Sequence, residues 1–356
     1  MHSPQEVMSV MKNPYTLLFG REPEQYIQRP LEADTIIQNF SYDDPSVQIY
    51  MITGVRGSGK TVFMTEISNR LKKDKDWIVI ELSSESDMLQ DLAAQLASEN
   101  SRAELFKKAR INLSFWGLGL EISHTAPIAN IQLAITKMLE ELKKHNKKVL
   151  VTIDEVVNNK PMREFASAFQ IFVRQELPLC LLMTGLFKNI DELQNEKNLT
   201  FLYRAPKIHL GPLNKKEMAE NYRKTLHISE EDATEMSRMT NGYSFAFQVL
   251  GHFSWEKNGD FRMASNRFKQ YIFEYSYDKI WSELSQKDRE MLNGIAHVPS
   301  GKIAEIREYL GCTTNEFNPY RKRLIRKGLV NGEQYGYLKL ILPFFDEYIK
   351  ENWEAE

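Results

Sequence analysis

The stretch Gln48-Ile49-Tyr50-Met51-Ile52-Thr53-Gly54-Val55-Arg56-Gly57-Ser58-Gly59-Lys60-Thr61-Val62-Phe63 decides the fold of this chain. It opens as a mostly apolar run of strand length. Beyond it, Phe63, Ile67 and Leu71 recur at helical spacing. Between strand and helix, Gly54 to Thr61 fits the phosphate-cradling pattern G-x-x-x-x-G-K-[ST] in the context that pattern requires. Glycines let backbone N–H groups close on an anion with no Cβ in the way, and the helix behind points its partially positive end at the same place. The expected nucleotide cradle is Gly54, Val55, Arg56, Gly57, Ser58, Gly59, Lys60, Thr61 and Val62. In it Lys60 reaches the β- and γ-phosphates of ATP, and the Thr61 hydroxyl ligates Mg2+.

Working outward, 356 residues exceed one ordinary core, so two or three domains are expected. The charged share of 26% and net charge of -2 give no overall field toward nucleic acid, so any such binding needs a local patch. Two cysteines, Cys180 and Cys312, lack metal spacing, and the N-terminus lacks a signal-peptide core. No apolar run has the length of a membrane span. These readings together predict a cytoplasmic protein without a membrane partner.

After the P-loop helix, Trp77–Leu82 reads as a strand, and Ser83 to Ser86 as the cap of a helix carrying Met88, Leu92 and Leu96. Residues 111 to 122 read as two short strands turning at Gly117 to Gly119, and 128 to 145 as a helix. Val149 to Ile153 is an apolar strand ending in Asp154-Glu155. A helix over 161–176 and strands over 179–184 and 207–210 follow. Strands alternating with helices predict an α/β fold: a parallel sheet covered by helices on both faces. Four helical patterns fill 214–280. Three more, at about 284–296, 301–310 and 314–327, precede a glycine-bounded hairpin over 331–340 and a terminal helix, which is the order of a winged helix-turn-helix. The domains read as an N-terminal linker and adenine-side segment (1–46), a P-loop core (47–212), a helical lid (213–281) and a winged helix (282–356).

Ligands of open α/β sheets lie at the carboxyl ends of strands, where Asp154 and Glu155 fall. Asp154 can hold a Mg2+-bound water, and Glu155 can act as general base on the attacking water. Thr184 ends the next strand, either orienting that water or forming a turn before Gly185. Arg204 precedes the strand 207–210, either as a finger acting on a neighbour's nucleotide or as a structural ion pair. Arg321, Lys322, Arg323, Arg326 and Lys327 lie on the third helix of the C-terminal section. That helix can meet double-stranded DNA or serve as a protein-docking module.

These residues resemble those of the prokaryotic AAA+/STAND-type ATPases, the archaeal-ATPase relatives of replication initiators. The resemblance runs through Asn13-Pro14-Tyr15-Thr16, Phe19-Gly20, Gly54 to Thr61, Ile153-Asp154-Glu155-Val156, Phe201 to Ala205, and Gly242-Tyr243-Ser244-Phe245-Ala246-Phe247-Gln248. It implies an adenine-side arginine, for which Arg29 stands at the usual distance. It implies ATP bound between sheet and lid, slow hydrolysis, nucleotide-dependent oligomers, and a C-terminal output domain oriented by the nucleotide. Ser244 stands where the family usually has proline, and no arginine follows. Two other expectations stay open: a non-hydrolytic, ATP-liganded transcriptional regulator, and a protein-docking scaffold.

Overall fold

A computed structural model describes residues 12–18, 23–117 and 125–355. The chain divides into two units: Gln28–Gly211, and the described residues of 1–27 together with those of 212–356.

The first unit contains α1 (Pro30–Ser41), β1 (Ile49–Thr53), α2 (Lys60–Lys72), β2 (Trp77–Leu82), α3 (Met88–Ala97), α4 (Asn100–Lys108), α5 (Ile131–Lys144), β3 (Lys148–Ile153), α6 (Lys160–Arg174), β4 (Leu179–Gly185), α7 (Phe187–Gln194) and β5 (Lys207–His209). The strands form one parallel sheet in the order β2-β3-β4-β1-β5, which places β4 between the P-loop strand and the strand that carries the carboxylates.

Strand periodicity sorts the side chains onto two faces. Ile49, Met51, Val149, Val151, Ile153, Leu179, Leu181 and Met183 enter one core with Leu92, Leu139 and Phe169. Tyr50, Ile52, Leu150, Cys180 and Leu182 enter the other, beneath Ile36 and Phe40 of α1 and Phe63 and Ile67 of α2. Even numbers therefore face α2. Extending β3 and β4 in that register carries Asp154 and Thr184 to the α2 side, and this is what builds the site. Cys180 is buried as expected, and burial pushes its thiol up to about 12.

Local chemistry sets the helix ends. Asn159 caps α6 by accepting from Met162 N at 3.0 Å, and Met162, Phe165, Phe169 and Phe172 form its buried stripe. Helix α3 is capped by Asp87, which accepts from Gln90 N at 3.1 Å, not by Ser83 to Ser86. The two strands expected over 111–122 are absent among the described residues, and 118–122 lie outside them. Asn112 explains the difference. Its side-chain oxygen accepts from Ser114 N (3.0 Å) and Ser114 Oγ (2.7 Å), and the chain turns into a 3-10 segment, Ser114–Trp116. Such local bonds compete with a strand ladder.

The second unit contains α8 (Lys215–Leu226), α9 (Glu230–Met239), α10 (Ser244–Trp255) and α11 (Phe261–Ile272). A π-helical segment (Phe273–Tyr277) leads into α12 (Asp278–Ser282). Then come α13 (Gln286–His297), α14 (Ile303–Leu310), α15 (Thr314–Arg326), the antiparallel pair β6 (Val330–Asn331) and β7 (Lys339–Leu340), and α16 (Phe345–Ala355). A single bridge from Lys302 to Tyr337 adds a third edge to that hairpin. Asn13 to Thr16 lie on α8 and α10. The Tyr15 ring is buried, its hydroxyl donates to Asn221 Oδ1 at 2.9 Å, and Asn13 Nδ2 donates to the His252 carbonyl at 3.0 Å.

Candidate nucleotide-phosphate site

The loop after β1 has the shape its glycines predict. Gly57 and Gly59 sit at φ 75° and 90°, a region costly for residues with a Cβ. A Cβ on Gly54 would lie 2.5 Å from Ser58 Oγ. Gly59 caps α2 without any side-chain bond, and a helix N-terminus of this kind offers its first-turn amides to an anion. Lys60 folds back over this loop. Its Nζ donates to the Gly54 and Val55 carbonyls, each at 3.0 Å, and the residue is 8% exposed. A nearly buried ammonium bonded to two neutral carbonyls can exchange them for an anion.

The expected second half of the site converges on α2. Thr61 Oγ1 donates to Asp154 Oδ2 at 2.8 Å. Thr184, fully buried, donates to the other Asp154 oxygen and accepts from Glu155 N at 3.1 Å. Glu155 itself is exposed and sits at φ 50°, a left-handed conformation that turns it away from the strand direction. Lys60, Thr61, Asp154, Glu155 and Thr184 thus come together at the carboxyl ends of β1, β3 and β4. Hydroxyl and carboxylate adjoining at 2.8 Å are the hard oxygen donors that suit Mg2+, which typically takes few protein ligands beside phosphate and water. Among the described residues no group of three or more His, Cys, Asp or Glu could hold a metal.

The remaining expected residues fall elsewhere. Arg29, directly before α1, donates through Nη2 to the Gly211 carbonyl at 2.6 Å, and burial lowers its pKa. Arg204 ends the 3-10 segment Thr200–Arg204. It is exposed, and its side chain makes no hydrogen bond or ion pair among the described residues. The four basic residues of α15 and Lys327 at its C-terminal end do not form one exposed arc. Arg323 is spent on Asp288 of α13, a carboxylate only 2% exposed: Nε donates to Oδ1 at 2.8 Å, and Nη2 lies 2.7 Å from it. Lys327 stands 3.7 Å from the other oxygen. Lys322 and Arg326 are exposed, and Arg321 is half-buried beside Gly332 of the hairpin.

Sequence reading takes His209 for an ordinary core-edge or surface residue and not for part of the site. It ends β5 opposite Thr53, with Nδ1 at 3.4 Å from Thr53 Oγ1. Burial first, then the charges of Lys60 and Arg29, lower its pKa. Its place at the carboxyl end of the strand beside the P-loop strand was the available signal.

Residues 39–206 match the family described as an ATPase domain predominantly from Archaea, and residues 274–349 match a domain of unknown function. No curated protein matches the chain. Among solved structures, the Walker-type ATPase of Pyrococcus abyssi is 17% identical, with TM-score 0.65, covering 92% of this chain and 97% of its own. The ORC2 protein of Aeropyrum pernix, solved as ADPNP-ADP complexes, is 14% identical with TM-score 0.55, covering 93% and 96%. At these identities the likeness is one of fold. Among the described residues no helix is long and apolar enough to cross a membrane. The phosphate cradle, the sheet order and the match of residues 39–206 agree on a P-loop ATPase fold, similar to the ATPase domain found predominantly in Archaea.

Proposed function

We propose that the protein is a Mg2+-dependent ATPase that works as a nucleotide-controlled switch, with residues of 274–349 as a winged-helix output that meets duplex DNA. The observation that carries the ATPase reading is the bonded set Thr61–Asp154–Thr184–Glu155 beside Lys60. Lys60 neutralises the phosphates once its ammonium leaves the two loop carbonyls. Thr61 and Asp154 would hold Mg2+, which would supply positive charge against the phosphates. Thr184 fixes the Asp154 carboxylate and the Glu155 backbone, and so keeps Glu155 beside the cradle. From there its carboxylate accepts a proton from the attacking water.

Glu155→Gln tests this. Mg-ATP binding by calorimetry should persist, while phosphate release falls by roughly two orders of magnitude or more. Unchanged release would place the base elsewhere. Lys60→Ala should abolish binding itself. Arg204, exposed and without a side-chain partner among the described residues, supports action on a neighbouring protomer. Turnover per protomer should then rise with protein concentration and do so no longer in Arg204→Ala.

For the output, α13 to α15 followed by the β6–β7 hairpin support a winged helix, and exposed Lys322 and Arg326 support contact with phosphate. The diversion of Arg323 and Lys327 to Asp288 favours a second reading, a protein-docking module. Salt titration separates the two, because DNA phosphate contacts weaken steeply with salt.

A further inference from the structure

Within the second unit, we infer that the turn Thr240–Tyr243 is a mechanical coupling, locking residues 274–349 to the α8–α11 bundle so that both move as one body. The switch role of this body rests on the ATPase reading above; the lock itself does not.

The turn is held where the chain enters the unit. Asn241 and Gly242 are left-handed, at φ 47° and 80°. Leu213 N donates to the Gly242 carbonyl at 2.8 Å, and a Cβ on Gly242 would lie 2.6 Å from Pro212 Cβ. Two side chains then leave the turn toward the C-terminal section. Asn241 Nδ2 donates to the Ile341 carbonyl at 2.7 Å, and the Tyr243 hydroxyl shares a 2.6 Å bond with Ser276 Oγ. Tyr243 and Ser276 are both buried.

Ser276 belongs to the π-helical segment, and that departure from the α-helix has a use. It turns two consecutive residues, Ser276 and Tyr277, into the interior together. Tyr277 donates to the Pro343 carbonyl at 2.6 Å and sets its ring against Phe345 (5.0 Å between centroids) and Tyr348 (5.5 Å). Tyr348 returns a bond to Asp278 Oδ1 at 2.7 Å, and Lys269 of α11 pairs with Glu347 of α16. From Pro212 to α16 the links are therefore contacts among groups that are buried or half-buried, apart from the exposed Pro212 and Asp278. A displacement at residues 212–213 reaches residue 341 through one turn. The same contacts explain why the matched C-terminal domain begins at 274 and not at 282: Tyr277 and Trp281 belong to its core.

Hydrogen exchange on the full chain tests the lock, comparing wild type with Asn241→Ala/Tyr243→Phe, which keeps the Tyr243 ring. Without nucleotide, wild-type amides of α10 and α16 should open together with equal protection. The variant should lose about tenfold to a hundredfold protection in α13 and α16, while α10 stays within about threefold. Wild-type α16 opening on its own, well before α10, overturns the lock, and so does a variant indistinguishable from wild type. With Mg-ATP added, protection should change in α8 and α16 together in wild type and only in α8 in the variant. A change confined to α8 in wild type overturns the coupling. No change anywhere, with the lock intact in the nucleotide-free arm, defeats the switch reading instead.

Discussion

Replacing Thr184 by valine removes a hydroxyl and keeps the shape. In the folded protein that hydroxyl donates to Asp154 and accepts from Glu155 N at 3.1 Å, with no exposure to water. Valine leaves the Glu155 amide with only Asp154 Oδ1, at 3.2 Å and poorly placed on its own neighbour, and leaves that carboxylate short of a donor. An unsatisfied buried group costs about 1–3 kcal/mol. Glu155 also occupies a left-handed conformation, worth about 1–2 kcal/mol against it, which the Thr184 bond helps to hold. If the loss falls on the placement of Glu155, turnover drops roughly 5- to 150-fold, since 1.36 kcal/mol is tenfold. Thr184→Ser keeps both bonds and loses one buried methyl, about 1 kcal/mol of stability. Its turnover should stay close to wild type. Steady-state phosphate release, with Mg-ATP affinity measured by calorimetry, reads both variants. A valine variant that turns over like wild type, or a serine variant that falls as far as valine, would refute the positioning role.

Gly251→Ala should destabilise the second unit by about 1–3 kcal/mol, because the new Cβ would stand 2.5 Å from the Tyr15 ring. That ring is held between Tyr222 and Phe247, so a denaturation midpoint equal to wild type would show that the segment Asn13 to Thr16 yields. Arg323→Ala should cost about 1–2 kcal/mol of stability, less than a fully buried pair because Arg323 is 42% exposed. Lys322→Ala/Arg326→Ala should leave stability within about 0.5 kcal/mol, yet flatten the salt dependence of duplex binding by about two units in log–log slope. His209 has a lowered folded-state pKa, so below its ordinary value of 6.5 the unfolded chain binds a proton that the folded one resists, and stability falls as pH drops through that window. Phosphates arriving beside Lys60 reverse the local field. Near pH 6, ATP binding should therefore take up a proton, seen as a buffer-dependent calorimetric enthalpy and absent in His209→Gln.

The sheet and the phosphate site were legible because strand parity and motif spacing are local. Gly54 to Thr61 sets the loop, and even numbering brings Asp154 and Thr184 to α2 without any tertiary information. The short helices α4 and α7 escaped because α4 buries only Phe106, and α7 follows β4 after a single residue. The pairing of Arg323 and Lys327 escaped for a different reason. Arg323 and Lys327 look like surface cations until α13 supplies Asp288, and no periodicity on α15 announces a buried acid on another helix. Tyr15 was legible as a motif residue but not as a packing element, since its notch is the missing side chain of Gly251, more than two hundred residues away.

The strand order also governs how the protein must emerge from the ribosome. Among the described residues strand β1 pairs with β4 and β5 alone, so the P-loop strand gains its first such neighbour when residues 179–185 have been made. At about 5–20 residues per second, the wait from Thr53 to Leu179 is roughly 6 to 25 s. Late in that interval, once residues 148–153 exist, β2 and β3 can join, while Ile49 to Thr53 remain an unpaired, apolar strand of the kind that recruits other chains. Nucleotide cannot shield it, because the acid and the hydroxyl that complete the cradle arrive with β3 and β4. A nascent chain halted before Leu179 should therefore depend on holdase chaperones, and nucleotide retention should begin only once β4 has cleared the exit tunnel.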